Sequence, residues 1–190
     1  MSQLILALDS AGSPNRWISL QDAIMYHAKG LVAWQIGEQA FEMRGGISRL
    51  TGEESRIETS SIIAIKGRDF MVRHYDRVPA LERSMLFNRD RHLCAYCGQV
   101  FRTAELEIEH VMPRSRGGAD LWTNVVTACR HCNMRKGAQT PEEAHMPLLY
   151  VPYTPNRHEA FILANRRILA DQMEFLLQGV PRHSRLLKAA

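Results

Sequence analysis

The sequence predicts an α+β protein in which a zinc-stapled strand–loop–strand–helix unit lies between an α+β N-terminal region and a C-terminal amphipathic helix. Three observations predict it. All four cysteines fall into two C-x-x-C pairs, Cys94-Ala-Tyr-Cys97 and Cys129-Arg-His-Cys132, 31 residues apart. The residues between them alternate apolar with acidic and then become β-branched, a period of two that belongs to strands. On either side, short apolar runs broken by glycine give way to a helical apolar period over Arg157 to Leu177. The expected division is 1–82, 83–147 and 148–190.

The cysteine pairs carry the strongest signal. A C-x-x-C on a tight knuckle aims two thiolates at one point, and two knuckles complete the tetrahedron that zinc favours in structural sites. Disulfides belong to small secreted chains. The N-terminus, Met1 to Asp9, is too short and lacks the basic lead of a signal peptide, and no apolar run reaches 18 residues. With thiols kept for metal, the expected location is cytoplasmic. Four ligands leave no open position, so Cys94, Cys97, Cys129 and Cys132 hold a structural zinc that does no chemistry. His131, between two ligands, reads as a surface or DNA-facing residue.

Inside the clamp, Leu106 to Val111 reads as a half-buried strand stopped by Pro113 and the Gly117-Gly118 loop. Thr123 to Ala128 reads as the returning strand, and Arg130 to Lys136 as a short helix capped by Gly137. This order gathers four polar residues. Glu109 offers an anionic oxygen and Asn133 an amide oxygen, a pair suited to Mg²⁺ (or Mn²⁺), which keeps the rest of its shell as water. His110 can take a proton from water near neutral pH. Asn124 can hydrogen-bond across to the loop bearing His110 and fix the position of the imidazole. Adjacent strand residues point to opposite faces, so joint use of Glu109 and His110 predicts a bulge or a frayed strand end before Pro113.

These residues resemble the HNH, or ββα-metal, nuclease family in its four-cysteine form. The resemblance rests on Glu109-His-Val-Met-Pro-Arg-Ser-Arg-Gly-Gly118, the W-x-N of Trp122 and Asn124, C-x-x-C-N-x-x-K-G from Cys129, and the following TPEEA. It covers about 50 residues, from Arg91 to Ala144. The upstream segments LILALD, RWISLQDAIMYHAKGLVAW, SSIIAIKG and FNRDRHLCAYCG also resemble bacterial HNH endonucleases. The resemblance implies phosphodiester hydrolysis of DNA, with 5′-phosphate and 3′-hydroxyl ends. It makes His110 the general base, Asn124 the positioning residue and Asn133 a metal ligand. Glu109 stands where the family commonly has aspartate, one methylene shorter. Arg114, Arg116, Arg135 and Lys136 are candidate phosphate contacts.

Net charge supports a polyanionic partner. Residues 1–82 carry 9 basic and 10 acidic side chains, residues 83–140 carry 9 and 5, and residues 141–190 carry 6 and 5, which puts the +4 surplus on the cysteine-and-histidine segment. Four thiolates on one Zn²⁺ add two negative charges there, offsetting about half of it.

Elsewhere the elements are ordinary. Residues 3–8 read as a buried strand and Asp9 to Asn15 as a turn. Ser19 with Asp22 caps a helix through about Lys29, ended by Gly30, on which His27 reads as a core-edge residue. Leu31 to Trp34 and Ala40 to Met43 read as short strands, Arg44-Gly45-Gly46 and Thr51-Gly52 as turns, and Ile57 to Ile65 as a strand. Gly45-Gly46 lacks the G-K-[ST] of a phosphate loop. Phe70 to Pro79 reads as a connector, Ser84 to Asp90 as a short helix, Pro141 to Ala144 as a helical turn and Tyr150 to Pro155 as an extended linker. The helix from Arg157 to Leu177 packs on the body or makes a homodimer, and the tail from Pro181 frays. The rival functional readings are a catalytically inactive, zinc-stabilised nucleic-acid-binding module and a purely structural zinc domain.

Overall fold

The computed structural model describes residues 3–47, 49–67 and 78–187. The chain forms two compact units, Met1–Arg77 with Asn165–Val180 and Val78–Ala164 with Pro181–Ala190. Most of the expected connector, residues 70–77, lies outside the described residues.

The first unit is built on a four-stranded sheet of order β2-β1-β4-β3. β1 (Ile5–Leu8) is buried throughout, because it lies between β2 (Pro14–Ile18), antiparallel to it, and β4 (Glu54–Ile65), parallel to it. The helix α1 (Leu20–Ala28) starts at the Ser19–Asp22 capping box, in which Asp22 N donates to Ser19 Oγ at 3.1 Å. It ends where Gly30 takes a φ of 65°. His27 sits at the core edge with Nε2 3.0 Å from Thr59 Oγ1, and burial lowers its pKa.

The two short strands expected after Gly30 are one strand, β3 (Val32–Ile47), paired antiparallel with β4. Register shifts occur at Val32/Trp34, Ile36/Ala40 and Arg44/Ile47, and the last two absorb Gly37 and Gly45-Gly46, so Gly45-Gly46 is a bulge inside the strand rather than the expected turn. Ile5, Ala7, Ile18, Ala23 and Ile63 form the core of this unit.

The single C-terminal helix expected over Arg157 to Leu177 is two helices, α4 (Arg157–Ala164) and α5 (Ala170–Leu177). The chain turns at Asn165, whose Oδ1 accepts from Arg167 N at 3.0 Å, and the helical ladder stops there. The α5 helix belongs to the first unit. Its Gln172 side chain is fully buried and donates to Leu4 O and Ser61 O, each at 2.9 Å.

The second unit joins α2 (Arg83–Arg89), β5 (Leu106–His110), β6 (Val125–Cys129), α3 (Arg130–Lys136) and α4. Met85, Leu86, Phe87, Leu106, Trp122, Val125 and Leu163 form its core. A buried ion pair lies beside them. Arg89 donates to Asp90 at 2.8 Å and also to the carbonyls of Trp122 (2.7 Å), Val125 (2.8 Å) and Tyr153 (2.8 Å). Asp90 Oδ2 accepts from Thr127 N at 2.9 Å. Both side chains are wholly shielded from water, which is tolerable only because their hydrogen-bonding capacity is so fully used.

Three expectations change in this unit. Pro141 to His145 is a hydrogen-bonded turn, not a helix. The stretch Tyr150 to Pro155 is irregular but anchored, with Tyr150 OH donating to Leu93 O and Tyr153 OH to Glu159. The tail does not fray as far as Leu187: Ser184 Oγ donates to buried Glu159, and the Arg185 guanidinium lies 3.7 Å above the Tyr150 ring.

Removing Arg89 leaves the buried Asp90 carboxylate only the more distant Arg185, 3.7 Å away. Arg89→Met is therefore expected to destabilise the protein by about 3–5 kcal/mol. The check is the urea midpoint of the zinc-loaded chain against wild type.

Candidate active site

The four thiols converge. Cys94 and Cys97 lie on a knuckle in which Gly98 N donates to Cys94 O at 3.1 Å and Cys94 N to Gln99 O at 2.9 Å. Gly98 takes the positive φ of 71° that this turn requires. Cys129 ends β6, and Cys132 lies in the first turn of α3. All four Sγ atoms lie within 4.8 Å of one another. A tetrahedral zinc with bonds of about 2.3 Å needs sulfurs about 3.8 Å apart, so the cluster suits zinc. Burial, and then a hydrogen bond with Cys129, push the Cys132 thiol up; a bound divalent ion would remove that penalty by replacing the protons. His131 is exposed, as the spacing predicts.

β5 and β6 pair in continuous antiparallel register, from Leu106↔Cys129 to His110↔Val125. The pairing runs one step further, since Val111 N donates to Asn124 O at 2.9 Å. The expected bulge or frayed end is therefore absent. Glu109 and His110 instead border one cleft of about 290 Å³ at the end of the strand, shared with Pro113, Arg114 and Lys136. Alternation is obeyed, and the cleft wraps around the strand terminus.

On one face of β5, two carboxylates meet two side chains of α3. Asn133 Nδ2 donates to Glu107 Oε2 at 2.6 Å, and the Lys136 ammonium pairs with Glu109. Strand spacing of two and helix spacing of three make these adjacent rungs. Glu109 and Asn133 thus share a face, but Asn133 is bonded to Glu107. Glu107 was missed in the sequence, although the alternation Leu-Glu-Ile-Glu places it beside Glu109. Burial raises the Glu109 pKa, and the Lys136 partnership offsets this only in part.

Lys136 is not the expected phosphate contact. It is buried, and Nζ also donates to His110 O at 2.9 Å. Arg116 pairs with Glu143, and Arg114 grips Asp120 through Nη2 at 2.7 and 2.6 Å. Arg135 is exposed on α3.

On the other side, His110 Nε2 lies 2.6 Å from Asp120 Oδ1, a partner that nothing in the sequence marked. Asn124 does not touch His110. It clamps the loop: its Oδ1 accepts from Met112 N at 2.9 Å, and its Nδ2 donates to Met112 O at 3.2 Å and Ala119 O at 2.9 Å. Gly118 makes this closure possible, because a Cβ there would fall 1.7 Å from Met112 O.

Two outcomes are expected. Gly118→Ala forces Met112 away, costing about 1–3 kcal/mol as overpacking does; hydrogen exchange at the Met112 amide should quicken relative to wild type. Because burial raises the Glu109 pKa, its carboxylate is protonated at pH values where an ordinary glutamate is already charged. Divalent binding at Glu109 should therefore weaken on acidification from a pH above the usual glutamate range. Mn²⁺ titrations followed by electron paramagnetic resonance at successive pH values would check it.

Parts of the chain are similar to known proteins. Residues 94–149 match the family described as HNH endonuclease. Over 58 residues the chain is 34% identical to the CRISPR-associated endonuclease Cas9 of Corynebacterium diphtheriae, covering 30% of this chain and 5% of that protein. The crystal structure of the Type II-C Cas9 enzyme from Actinomyces naeslundii matches 57% of this chain and 12% of its own, at 18% identity and a TM-score of 0.31, a likeness too loose to carry an argument. The chain spans a small fraction of either relative. The segment 94–149, which carries the four clustered thiols, is thus similar to the HNH endonuclease family.

Proposed function

We propose that the chain is a metal-dependent endonuclease that hydrolyses phosphodiester bonds of double-stranded DNA. The observation that carries this reading is the shared cleft of Glu109 and His110, beside the helix that presents Asn133.

The donors fit a hard divalent ion. Glu109 is a desolvated carboxylate that one ammonium compensates only in part. With Asn133 Nδ2 committed to Glu107, the amide oxygen is the end of that side chain that remains to act as a ligand. Glu109 and Asn133 would hold one Mg²⁺ or Mn²⁺, which would supply Lewis-acid stabilisation of the leaving 3′ oxygen. His110 takes a proton from water, and the resulting hydroxide attacks phosphorus in line. Asn124 keeps the loop after His110 in place. Arg135, and Arg116 once it leaves Glu143, meet backbone phosphates. A cytoplasmic setting follows from the need to keep the zinc thiols reduced.

An inactive binding module is the second reading. Glutamate at the usual aspartate position, already paired with Lys136, is the feature that favours it.

The two readings separate on supercoiled plasmid. Wild-type protein in Mg²⁺ or Mn²⁺ should nick or linearise it, and EDTA should stop the reaction. His110→Ala should cut about 10²–10⁴-fold more slowly, the usual contribution of a general base, while binding DNA as before. Metal-independent retardation of DNA with no cleavage by wild type would hand the case to the binding module.

A further inference from the structure

We propose that Asp120 is a positioning residue for His110, fixing the imidazole as its Nε2–H tautomer so that Nδ1 is the atom left to accept a proton. Its consequence for rate rests on the endonuclease reading above; the tautomer itself does not.

The geometry is one-sided. Asp120 Oδ1 lies 2.6 Å from His110 Nε2. An ionised carboxylate only accepts hydrogen bonds, so the proton belongs to Nε2. Arg114 Nε is also near that nitrogen, but at 3.3 Å, and it has a better acceptor in Asp120 Oδ1 at 3.0 Å. Arg114 Nη2 reaches both carboxylate oxygens. The result is a chain in which Arg114 holds Asp120 and Asp120 holds His110. The guanidinium beside it, and then the hydrogen bond to His110, keep the Asp120 carboxyl below its ordinary range.

Fold stability does not account for this arrangement. The Arg114 and Asp120 side chains are 67% and 55% exposed, and ion pairs so open to water stabilise proteins little. The backbone around them is nonetheless tightly held. The Asn124 amide binds Met112, two residues beyond His110, and Ala119, the residue before Asp120. One side chain therefore ties down the chain beside both members of the pair. The close approach of Gly118 to Met112 O, described above, brings the two ends of the loop together.

In the reaction the proton leaving water ends on Nδ1, the hydroxide oxygen bonds to phosphorus, and the bond to the 3′ oxygen breaks. Asp120 stays unprotonated and faces the imidazolium as it forms. In this scheme Asp120 bonds neither the attacking water nor the phosphate and acts through His110.

The test uses the full, zinc-loaded chain with ¹⁵N-labelled histidine. His110 is identified by the signals lost in His110→Gln. At pH 8 without added Mg²⁺, wild type should show a protonated Nε2 and an unprotonated Nδ1, and Asp120→Ala should give shifts averaged between tautomers. Asp120→Asn keeps an acceptor oxygen and should restore much of the wild-type pattern. With Mg²⁺ and a DNA duplex, Asp120→Ala should lower kcat about 10–100-fold, as loss of such a partner does, with KM unchanged within about twofold. An Nδ1–H tautomer in wild type, or a tautomer and kcat unmoved by Asp120→Ala, would overturn the assignment. If wild type cuts no DNA, the endonuclease reading fails and the nitrogen shifts alone decide the role of Asp120.

Discussion

The buried pair of Arg89 and Asp90 is the interaction on which the second unit depends. One guanidinium binds the carbonyls of Trp122, Val125 and Tyr153, and one carboxylate takes the amide of Thr127. β6 is thereby fastened to the end of α2 through its backbone, independently of the side chains it offers to the core. Since β6 carries the register of β5 at one end and a zinc ligand at the other, both the cleft and the metal cluster inherit their placement from this contact. An apolar pair could fill the same space, but it could not bind backbone groups from both the 122–127 stretch and Tyr153.

The cleft is electrostatically asymmetric. Toward α3 it presents the Glu109 carboxylate met by the buried Lys136 ammonium, and toward the loop it presents the His110 imidazole, backed by Asp120 and Arg114. Acidic and basic groups alternate across a few ångströms in partial contact with water.

Much of this was legible in the sequence, because the signals were local. Cysteine spacing announced the cluster, the Ser19–Asp22 box announced α1, and alternation followed by β-branching announced β5 and β6. What escaped depends on distance. Asp120 is an acidic loop residue with no periodic pattern, and only the folding back of Gly118 on Met112 brings it to His110. Lys136, near the end of a short helix, has the look of a solvated charge; its burial follows from the depth at which Glu109 sits. The break at Asn165 is a side-chain-to-backbone hydrogen bond, invisible to an apolar period that continues on either side. The glycines of β3 read as turns because a bulge and a turn use the same residue, and only the partner strand distinguishes them.

The cysteine cluster also sets how the chain divides its dependence on its surroundings. No cysteine precedes residue 94, so the sheet of the first unit does not draw on the thiol cluster for its stability. A zinc held by the four thiols would close the long internal loop of the second unit, and such closure removes conformational freedom from the unfolded chain much as a cross-link does. The start of α3, and with it the rungs that Asn133 and Lys136 make to β5, follows directly from a metal ligand. Without that metal the sheet would keep its own supports, while the end of β6 and the start of α3 would lose the link that aligns them with the cysteine knuckle.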